Sequence, residues 1–164
     1  MTRVFFLLMA VFLPAPVLAQ DLSFDANGTD ECLFTTGHEG NKADCIGVSA
    51  GDCMQQSGGD STFGMGFCLD NELQYWDDKL NGAYQQLRDV MQMSDASLPD
   101  NLAVQADTLR DMQRAWITYR DARCGHEASL WQGGTGASPA FLNCMMHLTA
   151  EQALYLFALY SGEG

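Results

Sequence analysis

Apolar residues recur every three to four positions along two long stretches of the chain, which is the spacing of an amphipathic α-helix. The first stretch runs from about residue 66 to 93 and the second from about residue 101 to 130. The apolar positions are Leu69, Leu73, Trp76, Leu80, Ala83, Tyr84, Leu87 and Met91 in the first, and Leu102, Leu109, Met112, Trp116 and Ile117 in the second. A short turn at 94–100 separates them, so the two helices are expected to form an antiparallel hairpin.

The C-terminal part of the chain predicts shorter helices. Ser138 followed by Pro139 is a favoured helix start, and the run Thr149-Ala150-Glu151-Gln152 resembles a capping box. We therefore expect helices at about 139–147 and 150–160, packed across the hairpin. No segment shows the alternation of a β-strand, so the expected fold class is all-α.

One charged residue interrupts the apolar stripe of the second helix. Arg120 falls in the middle of that stripe, where an unpaired charge would be costly. In an antiparallel hairpin that turns near residue 97, Arg120 lies level with Trp76 and about one helical turn from Glu72. We therefore predict a structural ion pair between Glu72 and Arg120.

The N-terminal part divides into two segments. Residues 1–19 read as a signal peptide, with Arg3 followed by a short apolar core and a small-residue cleavage site that ends at Ala19. Residues 20–62 show no helical period, so we expect an irregular, cysteine-containing arm before a helical domain at 63–164. The residue directly after the cleavage site is Gln20 rather than a cysteine, so a lipid anchor on an N-terminal cysteine is not expected, and no membrane anchor is expected.

All six cysteines follow the expected cleavage site, and an even number in an exported chain predicts disulfides. They are Cys32, Cys45, Cys53, Cys68, Cys124 and Cys144. We favour pairing in order of sequence. The Cys124–Cys144 pair is the firmest because these two are remote from the rest, whereas the connectivity of the first four stays open.

The formal net charge of −13 disfavours nucleic acid and anionic lipid as partners and favours a basic protein. No cofactor or metal motif is present: the histidines lack metal-ligand spacing, and the glycine-rich segment after Trp131 lacks the Gly-Lys-Ser/Thr of a phosphate cradle. There is no nucleophile elbow either. Together these absences favour a binding protein over an enzyme.

The glycine-rich loop at 131–138 is the best candidate for a partner-binding segment. Trp131 lies at the end of the second predicted helix, where an exposed ring would be a contact residue. Gly133, Gly134 and Thr135 complete the candidate site at the tip of the loop.

Three separated blocks of the sequence resemble the LprI-like lysozyme-inhibitor family. They are Cys68-x3-Glu72-x3-Trp76-Asp77-x2-Leu80-Asn81-x2-Tyr84-x2-Leu87, then Gln113-x-Ala115-Trp116-x2-Tyr119-Arg120-Asp121-x2-Cys124, then Gly133-Gly134 with Cys144. The resemblance covers about residues 53–160. It implies a small, exported, mostly helical, disulfide-bonded domain of the bacterial envelope. It also implies inhibition of a lysozyme. The N-terminal arm lies outside the pattern that carries the resemblance.

Two functions therefore compete. The first is an inhibitor of a basic lysozyme, periplasmic or secreted, whose acidic surface attracts the enzyme. The second is a structural or interaction module that binds another protein of the envelope. A hydrolase of wall sugars is disfavoured, because the abundant carboxylates fall on predicted exposed helix faces rather than in a paired arrangement.

Overall fold

The computed structural model describes residues 22–37 and 40–162; the expected signal peptide at 1–19 lies outside this part of the chain. The expected all-α class is confirmed, and the described residues contain no β-strand. The α-helices are α1 (Asn27–Thr36), α2 (Val48–Met54), α3 (Thr62–Asp95), α4 (Gln105–Ser129) and α5 (Ala137–Ser161), and a short 3-10 helix spans Lys42–Cys45. Within the described residues, none of the helices is both long and apolar enough to span a bilayer.

The long hairpin predicted from the apolar stripes is present as α3 and α4. Ser61 caps α3, since its hydroxyl accepts a hydrogen bond from the Gly64 amide at 3.0 Å. At the other end of α3, the Asp95 carboxylate accepts from the backbone amides of Gln105 and Ala106 at 3.1 and 2.9 Å. The last residue of one helix therefore caps the first turn of the next and fixes the turn between them.

The C-terminal region forms one continuous helix, α5, where the sequence predicted two. No Gly or Pro interrupts residues 140–161, so the backbone can continue as a helix. Pro139 lies in the first turn, where a missing amide breaks no intrahelical bond. Thr149 is fully buried instead of capping a second helix. The capping-box pattern was a local signal that packing overrides.

The core lies where α5 packs along α3. Trp76 and Leu87 of α3 and Met146 and Leu156 of α5 are its largest fully buried apolar side chains. Two links between α4 and α5 show their relative direction. Gln152 donates to Gln113 at 2.9 Å, and Cys144 is bonded to Cys124, so α4 and α5 are antiparallel. Helix α3 consequently runs parallel to α5, and α5 lies against both.

The N-terminal arm holds more regular structure than its sequence indicated, because it contains α1, the 3-10 helix and α2. Helices of this length are marginal in isolation, and their stability comes from tertiary contacts rather than from periodicity. Disulfides supply part of these contacts. Cys32 is bonded to Cys45 within the arm, and Cys53 is bonded to Cys68 of α3, so the arm is covalently attached to the long hairpin.

Candidate functional site

The loop between α4 and α5 presents an apolar, uncharged surface to solvent. Leu130 is 64% exposed and Trp131 is 53% exposed, although both are large hydrophobic residues. Residues 132–135, which include Gly133, Gly134 and Thr135, are exposed as well. The structure thus places all four candidate contact residues together at one end of the helical bundle.

The conformation of this loop depends on its glycines. Gly133 has φ of 82°, and Gln132 before it has φ of 50°, so the chain passes through left-handed backbone at two successive residues. The Trp131 ring lies directly over Gly136, where an added Cβ would overlap with the ring. The Gly134 amide donates to the Trp131 carbonyl at 2.8 Å and closes the turn. Trp131 is therefore held in place while more than half of it stays exposed.

A disulfide fastens the two helices that carry the loop. Cys124 near the end of α4 is bonded to Cys144 near the start of α5, and both are buried. Leu148, Phe141 and Met145 pack around this bond as a small apolar cluster. The loop is consequently anchored on both sides by rigid elements, as a preorganised contact surface requires.

Charged side chains beside the loop pair with one another. Arg123 donates to the Glu127 carboxylate and to the Tyr119 hydroxyl, each at 3.3 Å. Both hydrogen bonds raise the pKa of Arg123 above its ordinary value, and the bond with Tyr119 has the larger effect. Arginine is charged at every physiological pH, so Arg123 and Glu127 form a pair of opposite charges at the end of α4.

The predicted ion pair between Glu72 and Arg120 is not formed, and both residues belong to the described part of the chain. Glu72 is fully buried and faces the arm. Its carboxylate accepts hydrogen bonds from Thr29 Oγ1 (3.2 Å), Gly47 N (2.8 Å), Ala50 N (2.6 Å) and Trp76 Nε1 (3.1 Å). Hydrogen-bond donors of the arm and of the neighbouring indole thus replace the expected guanidinium.

Arg120 instead faces α5. Its Nε and Nη2 contact Asp121 Oδ1 at 3.0 and 2.9 Å, and its Nη1 donates to Thr149 Oγ1 at 3.5 Å. The guanidinium carbon also lies 5.0 Å from the centre of the Trp116 ring. The ion-pair prediction was wrong because α5 packs against both α3 and α4, so residues at the same level of the hairpin do not face each other directly.

Arg120→Ala is expected to lower the free energy of unfolding by about 1–2 kcal/mol, through loss of the Trp116 contact, the Thr149 bond and aliphatic packing. No buried carboxylate is left unpaired, because Asp121 is 56% exposed. Arg114→Ala, at an exposed position of the same helix, is the matched control and should change the free energy of unfolding by at most about 0.5 kcal/mol. Urea denaturation of both variants measures the difference, and equal midpoints would contradict it.

A second feature, which the sequence did not reveal, is an apolar cleft between α1, α3 and α5. Beside it, Tyr75 donates to the Asp30 carboxylate at 2.7 Å, and Lys79 lies 3.3 Å from the same oxygen. The bond from Tyr75 and the charge of Lys79 hold the pKa of Asp30 below its usual range. Burial, together with Asp30, raises the pKa of the Tyr75 phenol.

No group of three or more candidate metal ligands occurs among residues 22–37 and 40–162.

Comparison with known proteins assigns the helical region to a family. The family described as "Lysozyme inhibitor LprI" matches residues 53–156, which include α3, α4, the loop and most of α5. An uncharacterized 17.7 kDa protein encoded in the puhA 5' region of Rhodobacter capsulatus is 27% identical over 161 residues, covering 96% of each chain. An uncharacterized protein of Rhizobium meliloti is 32% identical over 102 residues, covering 58% of this chain and 71% of the relative. No solved structure matches the chain significantly.

Proposed function

Because the chain belongs to the LprI lysozyme inhibitor family, we propose that it is a non-enzymatic binding protein that inhibits a lysozyme. The observation that carries this proposal is the family match over residues 53–156. The matched range contains the exposed loop, the Cys124–Cys144 bond and both helices that the bond joins.

Two physical features support the proposal. The net charge of −13 would attract a basic enzyme and accelerate its association at low salt. The segment 131–138 contains no charged residue, so it can enter an enzyme cleft without desolvating an ion. In this arrangement the acidic surface steers the enzyme, and Trp131 with Gly133, Gly134 and Thr135 makes the contact.

The proposed location is the periplasm or the extracellular space. The three disulfides fit an oxidising compartment, and they include all six cysteines of the chain. A lysozyme inhibitor has to meet its enzyme in that compartment, so location and proposed activity agree.

The purified protein is expected to inhibit a basic lysozyme, and Trp131→Ala should weaken inhibition at least about tenfold, as loss of a contact aromatic commonly does. Inhibition should also weaken as salt rises, because the Debye length falls from about 10 Å at 0.1 M to about 3 Å at 1 M. Residual lysis of bacterial cell walls, measured against inhibitor concentration, gives both values.

Tyr160→Ala is the matched control, since this aromatic residue is 45% exposed but lies at the opposite end of α5. It should inhibit as the unchanged protein does. If micromolar protein leaves every class of lysozyme fully active, the inhibitor proposal is wrong. The alternative, a structural or interaction module that binds another envelope protein, would then take its place.

A further inference from the structure

The cleft between α1, α3 and α5 is a cavity of about 730 Å³, within the range of pockets that bind small molecules. Its inner wall is formed by the buried side chain of Trp76 and by Ala83 and Ala153. Leu33 and Leu154 line its sides. The lining is therefore largely apolar, although the cleft opens to solvent.

Two phenylalanines at this cleft expose apolar surface to solvent. Phe34 is 87% exposed and Phe157 is 45% exposed. A shallower groove of about 350 Å³ shares Leu154, Phe157 and Lys42 with the cleft and is lined on α5 by residues between 151 and 158. The two together form an elongated trough, and its shape suits a flexible chain better than a compact ring system.

Two lysine side chains line the same trough in a strongly acidic protein. Lys42 and Lys79 both line it, and they are two of the eight lysines and arginines of the whole chain. The Lys42 ammonium lies 5.2 Å from the Phe157 ring centre, and the Lys79 ammonium lies 4.6 Å from that of Tyr75. Asp30 partly offsets Lys79, and Glu151 lines the shallower groove. Both ammonium groups thus lie against aromatic rings beside the apolar surface.

We propose that this trough binds an anionic single-chain amphiphile. The hydrocarbon chain lies along the apolar lining between Phe34 and Phe157, and the carboxylate or phosphate head is held by Lys42 and Lys79. Burial of the chain supplies affinity, and the two ammonium groups select the sign of the head.

This site is separate from the surface proposed to bind lysozyme. Ala153 lies in α5, 17 residues after Gly136, the residue at which the loop meets the helix, which places it about 25 Å from the loop. The inference therefore goes beyond the proposed function and does not depend on it.

A glycine in the cleft allows a direct test. Gly82 lines the cavity, and an added Cβ would meet nothing within 4 Å, so the leucine of Gly82→Leu would extend into the open space. Gly125→Leu is the matched control, because Gly125 is also helical and open but lies on α4, outside the cleft. Leucine favours helix over glycine, so both variants should melt at or above the temperature of the unchanged protein.

Isothermal titration with sodium dodecanoate, below its micelle concentration, measures the binding. The unchanged protein and Gly125→Leu should bind alike, and Gly82→Leu should bind at least about tenfold more weakly. Trp131→Ala should bind dodecanoate normally even where it loses lysozyme inhibition. A Gly82→Leu variant that binds as tightly as the control would overturn the proposal, and so would the absence of binding to the unchanged protein.

The head group is tested separately. Dodecanoate and dodecyl phosphate should bind more tightly than dodecanol and dodecyltrimethylammonium, and the combined Lys42→Gln, Lys79→Gln variant should remove this preference. Lauroyl lysophosphatidylglycerol, compared with dodecanoate, distinguishes a membrane-lipid source from a free fatty acid. Equal binding of all head groups would refute the role of the lysines. Analytical ultracentrifugation tests whether a second copy of the chain occupies the trough instead. If the unchanged protein is a dimer, Gly82→Leu is a monomer and neither binds dodecanoate, the trough is a dimer interface and the amphiphile proposal is wrong.

Discussion

Glu72→Ala is expected to lower the free energy of unfolding by at least about 3 kcal/mol, since a buried hydrogen-bond donor left unsatisfied costs about 1–3 kcal/mol. Three of the donors to this carboxylate are fully buried: Thr29 Oγ1, Ala50 N and Trp76 Nε1. The variant also leaves a cavity where α1, α2 and α3 meet. Urea denaturation followed by tryptophan fluorescence measures the loss.

The matched control for this experiment is Asp78→Ala. Asp78 lies on the same helix as Glu72, and its substitution removes the same charge, but the Asp78 side chain is exposed. It should change the free energy of unfolding by no more than about 0.5 kcal/mol. A Glu72→Ala variant as stable as this control would show that the arm is held by its disulfides and apolar contacts alone.

Removal of the Cys124–Cys144 bond is expected to cost roughly 3 kcal/mol, the chain-entropy value for a closed loop of about twenty residues. Both cysteines are nearly or fully buried, so alanine at each position leaves no unpaired polar group. Chemical denaturation of the Cys124→Ala, Cys144→Ala double variant, without reductant, gives the value. The loop at 131–138 should lose its anchoring at the same time, so lysozyme inhibition should weaken as well.

The corresponding control removes the Cys32–Cys45 bond with the double variant Cys32→Ala, Cys45→Ala. That bond closes a loop of similar size within the arm. Its loss should also destabilise the protein but leave inhibition by the folded protein unchanged. If the two double variants inhibit equally, the Cys124–Cys144 bond has no part in shaping the contact surface.

The long helices could be predicted because periodicity along one helix is a local property of the sequence. The buried stripe of α3 includes Leu69, Trp76, Leu80 and Leu87, all of which the apolar spacing identified. Two members of the second stripe, Leu102 and Ile117, are exposed. Leu102 lies in the turn before α4 begins at Gln105, and Ile117 lies on a solvent-facing part of α4. A stripe thus predicts a helix more safely than it predicts which members are buried.

The partner of Glu72 could not be predicted, because it depends on how three elements meet. The apolar stripes and the turn concern only the two long helices, whereas three of the four donors come from α1 and from the start of α2. A buried carboxylate can be satisfied by backbone amides as well as by a guanidinium. Amides carry no sequence signature, so no pattern of residues indicated this solution.

The apolar trough was missed for a related reason. Phe34, Gly82 and Phe157 are far apart in sequence and share no motif. Gly82 interrupts the surface of α3 and leaves the gap, but a single glycine in a helical pattern is an ambiguous signal. The loop at Trp131 was easier to identify because its residues are consecutive, and its exposure agrees with the sequence-based expectation.

The order of the disulfides has a consequence for the way the chain matures. The bonds join consecutive cysteines, with separations of 13, 15 and 20 residues, and none encloses a cysteine of another bond. A chain that emerges from a translocation pore with its N-terminus first would present each cysteine to its native partner before the next pair appears. Synthesis order and pairing order coincide, so the native set can form without an isomerase that reshuffles mispaired bonds.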